Sequence, residues 1–224
     1  MRNKAGKRNP EIPTIAITDI HAGEVELTFG LKRDVSPGIW TLESRERRTI
    51  PEHLGAILAD YALAYGGSPD KEAFARARLD AILCTTLAAK KRQEFGQCGQ
   101  DKGMGKWASV QSIGSFKSLH WETEMPMKLP WTYLKKPHII SGKTDYSLFY
   151  VNRGEAETNM VIVEAKKRVN IGKFQAMAYM AMLHHARKKA GRANTTIYGI
   201  ATDSYDWCFL RFDPQGKISS HVFD

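Results

Sequence analysis

The chain has 224 residues, with 33 Lys and Arg against 24 Asp and Glu, which gives a formal net charge of +9. This length is typical of one domain, and the basic excess favours a polyanionic partner over an acidic or membrane-embedded role. The three cysteines have no metal-type spacing, which excludes a disulfide scaffold and predicts an intracellular, reducing compartment, either nucleus or cytoplasm. No hydrophobic run approaches the length of a membrane span, so no membrane partner is expected.

The first half of the chain predicts a tail followed by helices and a loop. Residues 1–13 are basic and contain proline, which predicts a flexible tail, and residues 14–224 are expected to form a single domain. The apolar spacing predicts a helix over 51–65 and a second helix from about 69 to 91. The polar, glycine-rich stretch over about 95–107 predicts a mobile loop.

Two predicted strands carry the charged residues of greatest interest. Residues 145–151 are rich in aromatic and aliphatic side chains, and residues 160–165 form a nearly continuous apolar run. Asp145 opens the first strand and Glu164 lies near the end of the second, so a hairpin would bring their carboxylates together. Lys166 points to the same face as Glu164, because side chains alternate along a strand.

This arrangement suits a divalent cation beside a phosphodiester. A hard cation such as Mg²⁺ or Mn²⁺ needs only one or two carboxylates, completed by waters and a substrate phosphate. Lys166 can orient or deprotonate the attacking water, because a partly desolvated ammonium changes its pKa readily. On a predicted helix over about 171–190, Gln175 and Tyr179 share one face, where both can hydrogen-bond to a phosphate or to a water at the metal.

The series Gly142-x-x-Asp145-Tyr146, Glu164-Ala165-Lys166 and Gln175-x-x-x-Tyr179 resembles the PD-(D/E)XK, or restriction-endonuclease-like, nuclease superfamily. The last element is similar to the RecB-like branch. The resemblance implies an α/β fold with an αβββαβ core over about 115–212, in which helices flank a mixed central sheet. It adds a helical N-terminal elaboration and a C-terminal hairpin. Thr144 stands where the family's name-giving proline would lie.

The resemblance also assigns roles to individual residues. It implies that Asp145, Glu164 and the carbonyl of Ala165 bind Mg²⁺ or Mn²⁺. Lys166 is then the catalytic lysine, with Gln175 and Tyr179 at the site. The family's helix before the sheet often supplies an acidic residue, which makes Glu72 a further candidate ligand. The alternative for this residue is a surface ion pair with the arginine one turn later, Arg76.

The remaining charged and strand-forming segments complete the prediction. Lys143, Lys167 and Arg168 are expected to contact nucleic-acid phosphates. Residues 119–124 predict the strand that precedes Asp145, with Glu122 and Glu124 facing the same way, so that either can join the metal shell. Further strands are predicted over 195–202, 207–212 and 218–223, the last two as a closing hairpin, and the His184–His185 pair is expected on a helix surface.

The sequence therefore predicts a metal-dependent nuclease that hydrolyses phosphodiester bonds, with DNA favoured over RNA. Two alternatives stay open, which are a nucleic-acid-binding module without catalysis and an effector or interaction domain on a nuclease-like scaffold. Two carboxylates facing a polyanion argue against simple binding, because they repel phosphate unless a cation intervenes. The resemblance is also compatible with a homodimer or a partner protein, since such nucleases often act as dimers.

Overall fold

The computed structural model describes residues 12–36, 40–41, 43–44, 49–66, 71–100, 119–150, 159–166 and 169–223. Residues 1–11 of the predicted tail, residues 101–107 of the predicted loop, and Lys167 with Arg168 lie outside the described residues. The end of the predicted tail belongs to the fold, because the Pro13 carbonyl accepts a hydrogen bond of 2.9 Å from the Ile139 amide.

A mixed sheet of eight strands forms the centre of the described structure. Its strands, in chain order, are β1 (Thr14–Ala16), β2 (Lys32–Arg33), β3 (Leu119–Tyr133), β4 (Lys136–Tyr150), β5 (Asn159–Ala165), β6 (Ile197–Thr202), β7 (Trp207–Phe212) and β8 (Lys217–Phe223). The order across the sheet is β1-β4-β5-β6-β7-β8-β2, and β3 also pairs with β4. The pairs β1–β4, β5–β6 and β2–β8 are parallel, whereas the others are antiparallel.

The helices of the described residues are α1 (Val25–Thr28), α2 (Leu54–Ala64), α3 (Glu72–Gln100) and α4 (Val169–Lys189). Together with the sheet they confirm the predicted α/β class, in which helices flank a mixed central sheet. Helix α3 is longer than expected, because its second half is rich in Ala, Lys, Arg, Gln and Glu, which favour helix. The loop predicted from about 95 is therefore wrong over residues 95–100. No helix within the described ranges combines the length and apolarity needed to cross a membrane.

Helix α4 is the central helix of the main hydrophobic core. All residues from Ala176 to Leu183 are buried, because the sheet covers one side of the helix and the N-terminal segment around Ile17 and Val25 covers another. The helix ends at Lys189, and a glycine with positive φ follows two residues later, Gly191 (φ 67°). Its amide donates a hydrogen bond of 3.0 Å to the Lys188 carbonyl. Three basic residues in the last turn complement the helix dipole.

Helix α3 packs against the sheet in a second, separate cluster. Leu79 and Leu83 of α3 pack with Tyr146 of β4 and with Val163 and Ala165 of β5. Burial of each leucine contributes roughly 1.5–3 kcal/mol. This packing brings the first turns of α3 close to the ends of β4 and β5, where the predicted site residues lie.

The strands β3 and β4 form one long hairpin, so Asp145 lies inside a strand rather than at its start. Each strand has 15 residues, and the two-residue turn, Leu134 and Lys135, has positive φ at both positions (48° and 62°), as in the tight turns that suit twisted strands. The sequence pattern does not predict the middle of this hairpin, because three prolines interrupt the two strands: Pro126, Pro130 and Pro137. The strands predicted over 195–202, 207–212 and 218–223 are confirmed as β6, β7 and β8.

The expected surface pair His184–His185 is only half right. His185 is exposed, but His184 is buried against Phe212, with ring centroids 5.7 Å apart. Burial, together with the neighbouring charges of Lys188 and Arg187, lowers the pKa of His184 to about 4. The C-terminal hairpin covers this position of α4, which a helical pattern alone does not reveal.

Candidate functional site

The two predicted carboxylates meet where β4 and β5 run side by side. Tyr146 pairs with Val163 in the antiparallel ladder, and the same register continued by one residue places Asp145 opposite Glu164. Asp145 is only 7% exposed and Glu164 is fully buried. The opposition expected from the sequence is therefore present in the fold, at a position that two helices also approach.

Glu164 is buried without a hydrogen-bonding partner among the described residues. Both of its carboxylate oxygens lack a hydrogen bond there. Burial raises the pKa of Glu164 well above its ordinary value of 4.5, and the negative charge of Asp145 raises it further, while Lys166 opposes the shift. Buried carboxylates are normally paired or bound to a metal, because an unpaired one costs several kcal/mol. Among the described residues, Glu164 is the one carboxylate whose buried oxygens accept no hydrogen bond.

Asp145, in contrast, is contacted through both of its oxygens. Its Oδ2 accepts a 2.8 Å hydrogen bond from the buried Ala165 amide and lies 3.6 Å from the Lys166 Nζ. Its Oδ1 accepts a hydrogen bond from Nη2 of Arg76 on α3. That the carbonyl of Ala165 binds a metal ion stays a prediction.

Glu72 contacts the site through two positively charged side chains, those of Arg76 and Lys166. Its Oε1 lies 3.2 Å from the Arg76 Nη2 and 3.3 Å from the Lys166 Nζ. The ion pair that was the alternative for Glu72 is therefore present, but it lies beside the site instead of on a remote surface. Its role as a metal ligand stays a prediction.

Sequence reasoning missed the importance of Arg76. It entered only as a partner of Glu72, although the structure places it on three carboxylates, those of Glu72, Glu124 and Asp145. The available signal was the face that it shares with Glu72 and Asp80 on the predicted helix. Nothing in the spacing joins that face to a strand 69 residues further along the chain.

The hydroxyl of Tyr179 holds the backbone of β4 next to Asp145. It accepts a hydrogen bond from the Lys143 amide at 2.8 Å and donates one to the Lys143 carbonyl at 2.9 Å. Burial raises the pKa of Tyr179 to about 12, with a further contribution from Glu164. The Tyr179 hydroxyl thus anchors the backbone of β4 at Lys143, and its role in the site stays a prediction.

Gln175 lies one helical turn before Tyr179 and is half-buried. It lines a cavity of about 360 Å³ together with residues that include Ile17, His21 and Phe174. The cavity adjoins the site, because Ile17 and Tyr179 both approach Gly142, three residues before Asp145. Gln175 also hydrogen-bonds to Tyr179, which lowers the pKa of that hydroxyl and partly opposes the effect of its burial.

The outer rim of the site is built from Glu124 and Lys143. The Lys143 Nζ lies 2.8 Å from the Glu124 Oε2, and both side chains are more than half exposed. This hydrogen bond lowers the pKa of Glu124. Glu122 and Glu124 are expected to face the same way, as in a regular strand. Glu124, however, adopts a left-handed conformation (φ 54°), so the regular alternation along β3 does not hold at this residue. Glu124 is at the rim, whereas Glu122 lies 3.8 Å from the His120 ring.

Gly142→Ala is expected to lower the free energy of unfolding by about 1–3 kcal/mol, the usual range for overpacking. A β-carbon at Gly142 would collide with the Tyr179 hydroxyl oxygen and would lie 2.9 Å from the Ile17 Cγ2. Chemical denaturation checks the prediction, with Gly55→Ala as the control. Gly55 lies in helix α2 with nothing within 4 Å of the added carbon, so that change should not destabilise the protein. Equal stability of Gly142→Ala and the parent would contradict the tight approach at the site.

The donor set fits a hard divalent cation. Two adjacent carboxylates, one of them unpaired, supply the oxygen ligands that Mg²⁺ and Mn²⁺ prefer, and such sites often need no more than two. Among the described residues, no group of three or more His, Cys, Asp and Glu could hold a metal ion. Neither models of known protein families nor curated protein sequences match this chain. Fold and site together define an α/β protein with a buried carboxylate pair at the junction of two central strands.

Proposed function

We propose that this chain is a Mg²⁺- or Mn²⁺-dependent nuclease of the PD-(D/E)XK type that hydrolyses phosphodiester bonds in DNA. The observation that carries the proposal is Glu164, whose two buried oxygens lack a partner among the described residues beside the Asp145 carboxylate. A divalent cation held by both carboxylates would satisfy the unpaired oxygens and remove the repulsion between the two charges.

The order of the elements supports the same proposal. Helix α3, strands β3, β4 and β5, helix α4 and strand β6 follow one another in the chain, which agrees with the αβββαβ order of the superfamily. Strand β6 lies parallel to β5, with Ala165 paired to Thr202. The carboxylates thus lie at the centre of the sheet, with a helix packed on each side.

The residues divide the chemistry between them. Asp145 and Glu164 would hold the cation, with the carbonyl of Ala165 as a third donor. When bound there, the cation would supply Lewis-acid chemistry for the phosphoryl group, the attacking water and the leaving oxygen. The Lys166 ammonium, 3.6 Å from the Asp145 Oδ2, would orient the water and balance the charge that develops on the phosphate. In its neutral amine form, the same side chain would accept a proton from the water. Glu72, 3.3 Å from the same ammonium, fixes its position.

The charge distribution supports nucleic acid as the substrate. The net charge of +9 favours a polyanion. Lys143 lies at the rim with its side chain 56% exposed, within reach of a phosphate that approaches the carboxylates. Lys167 and Arg168, which follow Lys166 directly, are proposed to contact the same backbone.

The test is cleavage of linear and circular DNA, single- and double-stranded, and of RNA, with Mg²⁺, Mn²⁺ or EDTA. A Glu164→Ala, Lys166→Ala double variant is assayed in parallel. We expect metal-dependent cutting of DNA, lost in the double variant, and cut circles would identify an endonuclease. Equal cutting in EDTA or by the double variant would contradict the proposal. Salt-sensitive binding without cutting would instead favour a nucleic-acid-binding module.

A further inference from the structure

Arg76 occupies a position that the proposed function leaves unexplained. Its guanidinium contacts the Asp145 Oδ1 and lies 3.2 Å from the Glu72 Oε1 and 3.8 Å from the Glu124 Oε1. The side chain is 35% exposed, so it reaches from the protein interior to the rim of the site. A single arginine thus links a buried carboxylate to two carboxylates that face solvent.

The contact of Arg76 with Asp145 falls on Oδ1, the oxygen that accepts no hydrogen bond from the Ala165 amide. The other oxygen, Oδ2, already accepts the Ala165 amide hydrogen bond and lies 3.6 Å from the Lys166 Nζ. Among the described residues, Arg76 is the group that contacts Oδ1. A cation at this oxygen would therefore compete with the guanidinium. A guanidinium and a divalent cation on the same carboxylate oxygen repel each other strongly at such short distances.

We propose that Arg76 is an internal counter-ion for Asp145 which leaves this carboxylate when the divalent cation binds and then contacts the phosphate of the substrate. The inference rests on the proposed function, because it needs the cation at Asp145 and Glu164. A planar guanidinium suits this exchange, since its fork of donors matches a carboxylate and a phosphate equally well. Glu72 and Glu124 keep the released side chain at the rim.

The backbone at the rim supports this assignment. Glu124 is a non-glycine residue in the left-handed region (φ 54°), and it falls between the pairs Thr123–Tyr146 and Met125–Thr144 of the ladder, beside Asp145. Non-glycine residues in this conformation are strained and are often found at functional sites. Here the residue in this conformation carries a carboxylate that contacts both Arg76 and Lys143.

The experiment measures Mn²⁺ binding without nucleic acid, by the electron paramagnetic resonance signal of free Mn²⁺, for the parent protein and for Arg76→Gln and Arg76→Met. Both variants remove the charge and keep part of the side-chain stem, and thermal unfolding verifies that they are folded. We expect each to bind Mn²⁺ about tenfold more tightly than the parent, because a competing positive charge is gone. At saturating Mn²⁺, cleavage should be about tenfold or more slower, because a phosphate contact is lost.

Arg78→Gln is the matched control. Arg78 lies on the same helix but bonds to the Ser204 hydroxyl at 3.1 Å and stacks over the Tyr205 ring, so its loss should leave the Mn²⁺ affinity within about twofold of the parent. A Glu164→Gln variant, which should lose Mn²⁺ binding, tests the site itself.

The outcomes separate the two proposals. Mn²⁺ binding that depends on Glu164 but is unchanged or weaker in both Arg76 variants would overturn the role of Arg76 and leave the nuclease proposal intact. Tighter binding with undiminished cleavage would overturn the phosphate contact. Absence of Mn²⁺ binding in the parent and in every Arg76 variant would overturn both proposals.

Discussion

Glu164→Gln should abolish metal-dependent cleavage, with a loss of at least about a hundredfold, because even the residues that only support metal ligands typically contribute 10- to 100-fold. The substitution keeps the volume of the side chain and removes its charge. Since Glu164 is fully buried, glutamine should fit without rearrangement of the strand. Single-turnover cleavage at saturating Mg²⁺ or Mn²⁺ checks this prediction.

The same variant should be more stable than the parent when no metal is present, by about 1–3 kcal/mol at neutral pH. On folding, the parent must either bury the Glu164 charge or take up a proton, whereas a neutral amide does neither. The effect depends on pH with a defined sign. The pKa of Glu164 is raised above its ordinary value of 4.5 in the folded protein, so the folded state binds the extra proton. The parent therefore loses stability as the pH rises from about 4.5 through the raised pKa, whereas the variant does not.

Urea unfolding in EDTA at pH 5 and pH 8 measures this difference, and it should be larger at pH 8. Adding Mn²⁺ should stabilise the parent and leave Glu164→Gln unchanged. The matched control is Glu26→Gln, which alters a carboxylate paired with Arg33 at 2.9 Å near the surface and should leave cleavage unchanged. A Glu164→Gln protein that cuts as fast as the parent would show that Glu164 is outside the site.

Lys166→Met should lower the cleavage rate by about 10²–10⁴-fold, the usual contribution of a positioned proton-transfer group. The Lys166 side chain is 21% exposed, and its ammonium lies 3.3 Å from the Glu72 Oε1 and 3.6 Å from the Asp145 Oδ2. The ammonium is therefore beside the carboxylates and is not itself a metal ligand. Mn²⁺ binding should therefore be as tight as in the parent or tighter, because one positive charge near Asp145 is removed.

The combination of a large loss in rate with undiminished metal affinity distinguishes Lys166 from Glu164. Lys173→Met is a suitable control, because Lys173 lies on α4 and bonds to the Ser220 hydroxyl at 3.1 Å, away from Asp145. Cleavage by Lys166→Met at the rate of the parent would remove Lys166 from the mechanism, whereas loss of Mn²⁺ binding would show that it organises the metal site.

Much of the site could be predicted because it depends on local periodicity. The alternation of side chains along β5 and the short separation of two apolar runs are enough to predict that Asp145 and Glu164 face each other. The helical spacing of Gln175 and Tyr179 is likewise set by the backbone of α4. The α/β class follows from the same patterns.

The sequence by itself determined the class of the fold, the pair of carboxylates and the lysine beside them, because strand and helix periods are local properties of the chain. Only the tertiary structure decided that the Arg76 guanidinium contacts Asp145, that the Tyr179 hydroxyl hydrogen-bonds to the Lys143 backbone, and that His184 is buried. Each of these depends on how one helix packs against strands far away in sequence. Packing of that kind is a collective result of shape and burial, and no short motif encodes it.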